Sequence, residues 1–82
     1  MNMKKLHLVI VSPEKEVFEG EVESVTLPGS GGSFMILPQH APIVSSLKAG
    51  KLTYMVNGEK HDSLIQGGFI EMNNNKVTVC IE

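Results

Sequence analysis

Four sets of residues in this chain carry functional groups, and their spacing decides what chemistry each can support. Gly29, Ser30, Gly31, Gly32 and Ser33 form a glycine-rich run of the kind that cradles phosphate. A phosphate loop also needs a following Lys-Ser or Lys-Thr and a helix N-terminus, and neither follows here. The Gly-x-Ser-x-Gly elbow is absent too, so Ser30 has no nucleophile setting and the run reads as a flexible hairpin tip. His7, His40 and His61 are too scattered to form a recognisable metal motif. Glu14, Glu16, Glu19, Glu21 and Glu23 make an acidic stretch relieved only by Lys15. An acid/base couple would require one of these carboxyls to be desolvated. Glu19, Glu21 and Glu23 share one strand parity, which predicts a solvated face or edge that discourages sheet aggregation. The single cysteine, Cys80, excludes an internal disulfide and a Cys-rich zinc site, and its alternating surroundings predict a buried, inert thiol in a reducing compartment. No catalytic, cofactor or metal constellation emerges.

Composition narrows the partners. The chain has 82 residues, read as one domain over 1–82, and a formal charge of −2. All seven of its cations are lysines, so it lacks the guanidinium forks that grip phosphate or guanine. With one Tyr, three Phe and no Trp there is no aromatic platform interleaved with a basic patch, which excludes nucleic-acid binding. Lys4 and Lys5 precede an apolar run too short for a secretory leader.

The elements that must position these residues are mainly strands. Val77, Val79 and Ile81 alternate with Thr78 and Cys80, and Leu52, Tyr54 and Val56 alternate with Lys51, Thr53 and Met55. Leu6–Val11 is apolar apart from His7, which predicts a strand covered on both faces. Asn57-Gly58 predicts a type I′ hairpin, and Asn73-Asn74-Asn75 and Glu19-Gly20 predict further turns. Gly67-Gly68 predicts a bulge, positive φ or close backbone approach. Val22 is out of phase with Val25 and Leu27, so the chain must bulge or change sheets there. Ile43, Val44 and Leu47 behind Pro42 suit one short helical turn. The expected fold is all-β: a small two-layer sandwich or flattened barrel of about eight to ten short strands.

One compositional gap stands apart. Residues 24–47 contain no Asp, Glu, Lys or Arg across twenty-four positions. Pro28, Pro38, Pro42 and the glycines would break a membrane-spanning helix, so direct membrane insertion is not expected. Removal of charge is how the buried centre of a protein–protein contact is composed; the competing reading is that the run feeds the domain's own core. His40 lies between two prolines inside it, either bonded to nearby backbone or serving as a polar anchor.

Several blocks together carry a family resemblance. Ile36-Leu37-Pro38-Gln39-His40-Ala41-Pro42 with Leu47 and Gly50, then Gly67-Gly68-Phe69 and Lys76-Val77-Thr78-Val79, resemble in order and spacing the epsilon subunit of the rotary proton-translocating ATP synthase. The match runs from Leu6 to Ile81. It implies the family's N-terminal β-sandwich, a non-catalytic rotor domain that grips subunit gamma and rests on the polar loops of the membrane c-ring. Carried over by position, the gamma-facing surface falls on Ser12, Gln39, His40 and Ala41, and the c-ring-facing loop on Gly29, Ser30, Gly31, Gly32 and Ser33. The implied location is the cytoplasmic face of the bacterial inner membrane. Met35 and Gln39 stand where the family usually has glycine, and Ser33 where many members carry an acid. The chain ends at Glu82, before the family's C-terminal helical hairpin, so inhibition and nucleotide binding are not expected.

Two rival classes remain. A biotinyl or lipoyl carrier domain would need a lysine exposed at a tight hairpin tip, whereas Lys51 and Lys60 flank the Asn57-Gly58 turn. A small β-barrel ligand binder would need a sizeable pocket with convergent polar groups.

Overall fold

The computed structural model describes residues 5–82; Lys4 of the leader reading lies outside them. Nine strands follow one another: β1 (Leu6–Val11), β2 (Glu16–Val22), β3 (Ser24–Gly29), β4 (Gly32–Ile36), β5 (Ile43–Leu47), β6 (Gly50–Val56), β7 (Glu59–Ile65), β8 (Gly68–Asn73) and β9 (Lys76–Ile81). They hydrogen-bond into one curled sheet in the order β2-β1-β9-β8-β5-β3-β6-β7, with β4 pairing β3 off that path. The curl gives two layers, β2-β1-β9-β8-β5 against β4-β3-β6-β7, joined where Gly29 faces Leu47. The first and last strands, β1 and β9, lie parallel, while the other pairs are antiparallel. This is the predicted two-layer sandwich.

Period-two alternation builds the interior. Leu6, Leu8, Ile10, Val22, Leu47, Ile70, Met72, Val77 and Val79 point inward from the first layer. Val25, Leu27, Ile36, Leu52 and Ile65 meet them from the second. Burying a side chain of this size contributes about 1.5–3 kcal/mol, and together these residues form one core cluster. The phase slip after Val22 is the crossing between layers. A bend at Glu23 ends β2, and Ser24 begins β3 beside β6. Two bonds hold the bend: Glu23 N–H donates to the Met55 carbonyl at 2.8 Å, and the Glu23 carboxylate accepts from Gly58 N–H at 3.3 Å.

The asparagine turns form as their chemistry predicts. Asn57 (φ 51°) with Gly58 (φ 79°) closes β6–β7, and Asn74 (φ 52°) with Asn75 (φ 62°) closes β8–β9; both central residues are left-handed, as type I′ turns require. Gly67 (φ 150°) and Gly68 (φ 146°) are both in positive φ.

Four expectations change. Glu19-Gly20 is not a turn: Gly20 pairs with Leu8 in mid-strand, and the Phe18 ring packs over it, supplying the cover a glycine lacks. Residues 43–47 form a strand rather than a helical turn, because Ile43, Ser45 and Leu47 alternate inward while Val44 and Ser46 face out, a spacing that also satisfies i, i+4. β1 is fully covered on one face only; His7, Val9 and Val11 are half-exposed on the other. Cys80 is half-buried on the outward parity of β9, since Val77 and Val79 take the inward positions.

Candidate docking surfaces

The glycine-rich run forms the β3–β4 hairpin, with Gly29 paired to Gly32 and Ser30-Gly31 at its tip. Its root is anchored. Ser30 N–H donates to the Ser46 carbonyl at 3.1 Å, and the Ser30 and Ser46 hydroxyls hydrogen-bond at 2.8 Å. Gly31, Gly32 and Ser33 stand exposed beyond that clamp, so the freedom expected of the whole tip is confined to these positions.

After β4 the chain crosses back to the first layer through a tight turn. His40 N–H donates to the Leu37 carbonyl at 3.1 Å, with Pro38 second and Gln39 third at φ 69°. Proline followed by a left-handed residue is the type II arrangement. Gln39 thus keeps a conformation that glycine adopts without cost, which accounts for glycine being usual there in the family the sequence resembles. The turn is pinned: Gln39 N–H donates to Asn75 Oδ1 at 2.6 Å, across to the β8–β9 turn. His40 Nδ1 donates to the Ala41 carbonyl at 2.6 Å, so the imidazole is bonded to adjacent backbone while its side chain remains exposed. Gln39, His40, Ala41 and Pro42 together form an uncharged, outward-facing corner.

Ser12 lies elsewhere. Its N–H and hydroxyl both donate to the Lys15 carbonyl, at 2.8 and 3.1 Å, closing the turn between β1 and β2. His7 N–H donates to the Asn75 carbonyl, at the end of β1 where Gln39 is held. Ser12 follows the opposite end, past Val11 beside Cys80. The six-residue strand between them is about 17 Å long. The four residues therefore form one surface only through the outer face of the first layer.

That face is divided. At the Ser12 end, Val11, Cys80 and Phe69 sit in register across β1, β9 and β8. With Pro13 and Ile81 they line an open groove of about 520 Å³. At the other end, polar groups take over: His7, Glu21, Lys76 and Asn73 share neighbouring register positions. His7 Nε2 lies 2.9 Å from Glu19 Oε2. Hydrogen bonding with Glu19, and then its negative charge, hold the Glu16 carboxyl above the ordinary range. Glu19 is lowered by the same bond and then by His7. Sequence reasoning did not single out Val11, Phe69 or Val44 as surface residues. The signal was present: each is out of phase with the buried set on its own strand.

The opposite face is more ordinary. Thr53 Oγ1 donates to Asp62 Oδ1 at 2.8 Å and Lys51 Nζ lies 3.9 Å from Asp62. Where β2 approaches β6, the Phe18 ring lies tilted against Tyr54 at 4.5 Å and Tyr54 stacks on His61 at 5.3 Å, with Glu59 beside His61 at 3.9 Å. The two-residue tips of the β3–β4, β6–β7 and β8–β9 hairpins carry Ser30-Gly31, Asn57-Gly58 and Asn74-Asn75, whereas the turn between β1 and β2 carries the exposed Lys15. The large groove lies on an outer face, lined mainly by apolar side chains, and the space between the layers is filled by core residues. No helix among the described residues is long and apolar enough to cross a membrane.

A sandwich whose polar side chains brace turns, and which leaves apolar side chains exposed on both layers, belongs to the class of small all-β domains. Comparison with known proteins gives the class a family. The chain belongs to the family of the ATP synthase delta/epsilon chain β-sandwich domain, whose model matches residues 5–82. Similar proteins include an ATP synthase epsilon chain of Nitratidesulfovibrio vulgaris, 47% identical over 79 residues, covering 96% of this chain and 59% of that protein. Another is the ATP synthase epsilon chain of Leptospira interrogans, 44% identical over 83 residues, covering 100% and 65%. The chain thus spans roughly three-fifths of the length of these relatives. Among solved structures, a chain of the Euglena gracilis mitochondrial ATP synthase, from an assembly of OSCP, F1 and c-ring, superposes with a TM-score of 0.90 at 22% identity, covering 99% of this chain and 53% of that one. A chain of the Tetrahymena thermophila mitochondrial ATP synthase central stalk and c-ring gives 0.80 at 18% identity, covering 99% and 66%. At these identities the likeness is one of fold.

Proposed function

We propose that this chain is a non-catalytic central-stalk subunit of a proton-translocating ATP synthase, linking subunit gamma to the c-ring so that torque passes between proton flow and nucleotide chemistry. The observation that carries this reading is the family match over residues 5–82, together with close relatives named ATP synthase epsilon chain. Its location would be the cytoplasmic face of the bacterial inner membrane, as a peripheral part of the complex. Gamma would contact Ser12, Gln39, His40 and Ala41, with the outer face of the first layer between them, apolar at the Ser12 end and polar at the other. The polar loops of the c-ring would meet Gly29, Ser30, Gly31, Gly32 and Ser33 at the hairpin tip. A close-packed sandwich suits the mechanical task, since well-filled interiors deform little under load.

Co-expression with gamma followed by gel filtration tests the reading: the two should elute as one species. Separate elution would overturn it. His40→Glu should weaken the complex at least about tenfold, a factor worth ~1.4 kcal/mol, because it introduces a charge into a desolvated contact. The fold should survive, since the imidazole bonds only to its neighbour's carbonyl. Unchanged affinity would remove His40 from the interface.

A further inference from the structure

The charge-free run has a structural meaning that its composition alone did not show: it supplies two of the four strands with an open edge. An open edge carries unpaired N–H and C=O groups, which proteins commonly protect with charge. β2 has Glu16, Glu19 and Glu21, and β7 has Glu59, Lys60 and Asp62. β4 reads Gly-Ser-Phe-Met-Ile and β5 reads Ile-Val-Ser-Ser-Leu, with no charge on either. β5 is partly closed by its bond from Ser30 to Ser46, whereas among the described residues β4 pairs with β3 alone.

The free groups on β4 can be assigned. Gly29 faces Leu47 with hydrogen bonds flanking the pair, Ser30 N–H to Ser46 O at 3.1 Å and Lys48 N–H to Pro28 O at 2.9 Å. Successive residues of a strand send their backbone groups to opposite sides, so Gly29, Leu27 and Val25 bond toward β4. Their register partners Gly32, Phe34 and Ile36 bond within the hairpin. Ser33 and Met35 therefore direct their N–H and C=O groups at the open edge. The adjacent side chains are also unusually apolar for solvent, Met35 being 54% and Leu37 52% exposed.

From this we infer that β4 is a strand-acceptor edge, which takes an extended, uncharged segment of gamma by backbone pairing to Ser33 and Met35, beside the hairpin tip proposed to meet the c-ring. The inference deepens the reading of the preceding section and rests on it. A second copy of this chain is a poorer occupant. Pairing along five residues covers a strip about 17 Å long, and one ~4.8 Å strand spacing wide, well short of the ~800 Å² per partner of a stable interface. A larger subunit can add the missing area over Leu37 and the corner at Gln39, His40 and Ala41, which continues directly from the strand.

Amide hydrogen exchange on the full chain, alone and bound to gamma, tests the assignment. In the free chain Ser33 and Met35 amides exchange fast while Phe34 and Ile36 are protected. On binding, Ser33 and Met35 should slow at least about tenfold, erasing the alternation. Met35→Pro, which deletes an N–H unused within the chain, should leave circular dichroism unchanged and weaken gamma binding by a similar factor. Co-elution with gamma but unchanged Ser33 and Met35 exchange would overturn the strand-acceptor edge alone. Failure to co-elute would overturn it together with the stalk reading. Slowing that grows with the concentration of the chain alone would assign the edge to a second copy instead.

Discussion

Gly68 and Gly31, from two glycine-rich segments at 67–68 and 29–32 that look alike on paper, behave oppositely in the fold. At Gly68, three strands converge, with Leu47 on one side and Ile81 on the other. A Cβ there would collide with the Cys80 carbonyl oxygen, and the φ of 146° is one that side chains rarely adopt. At Gly31 a Cβ would meet nothing within 4 Å. The first glycine exists because backbone occupies the space a side chain would need. The second sits on open solvent, where the fold asks for no particular residue, so any requirement for it must come from outside the chain. A turn composition is therefore no guide to whether a glycine serves packing or contact; the neighbours across the sheet decide.

Substitutions at these positions put that contrast to the test. Gly68→Val carries the largest effect, combining backbone collision with disfavoured φ: a loss of about 3 kcal/mol or more, which for a domain of this size lowers Tm by roughly 12 °C or more. A thermal melt within a few degrees of the parent would show that β8 and β9 can separate there without cost. Gly29→Ala is intermediate, because its Cβ would lie 2.7 Å from both the Gly32 carbonyl oxygen and the Phe34 ring, and only the ring can move. A cost of about 1–3 kcal/mol is expected in chemical denaturation. Gly31→Ala should shift stability by less than about 0.5 kcal/mol; a substantial loss would mean that the tip is part of the folded unit after all.

The smallest effect concerns the Glu16–Glu19 pair on the exposed β2 edge. Glu19→Ala should return the Glu16 carboxyl towards its ordinary value, because it removes the hydrogen bond and then the negative charge that raise it, and carbon-detected NMR titration would read this directly. Glu16, being raised in the fold, favours the folded state at low pH and loses that contribution as pH rises through its folded value. Glu19, being lowered, favours it at higher pH and loses that contribution as pH falls through its folded value. Both carboxyls are fully exposed, so the two opposing trends belong in the titration curves rather than in Tm. An unmoved Glu16 in the variant would show that the two do not share a hydrogen bond.

Much of the architecture was legible because local chemistry and global fold agree. The Asn57-Gly58 and Asn74-Asn75 turns follow from which residues tolerate positive φ. The break after Val22 followed from phase alone, since a period-two pattern cannot slip by one residue and stay on the same face. The misreadings are equally physical. Gly20 resembled a turn because a sequence cannot show Phe18 folding back over it. Residues 43–47 resembled a helical turn because positions four apart share a face in both helix and strand, and only pairing with β8 separates the two.

The candidate surfaces divide in the same way. The uncharged run at 24–47 holds both buried and exposed positions, so the reading that it feeds the domain's own core is met by only part of it. Val25, Leu27, Ile36 and Leu47 are buried in the core, while Met35, Leu37 and Val44 face out, Val44 being 75% exposed. Ser12 and the Gln39-His40-Ala41 corner could be named from resemblance, but their separation along β1 and the divided face between them could not. By itself, then, the amino-acid sequence determined most of the strand periodicity, the asparagine turns and the family, because these depend on side-chain type and spacing along the backbone. Which strand ended as an unguarded edge, which glycine met a carbonyl and which valine met solvent were decided only by tertiary pairing, because those properties belong to residues brought together from distant parts of the chain.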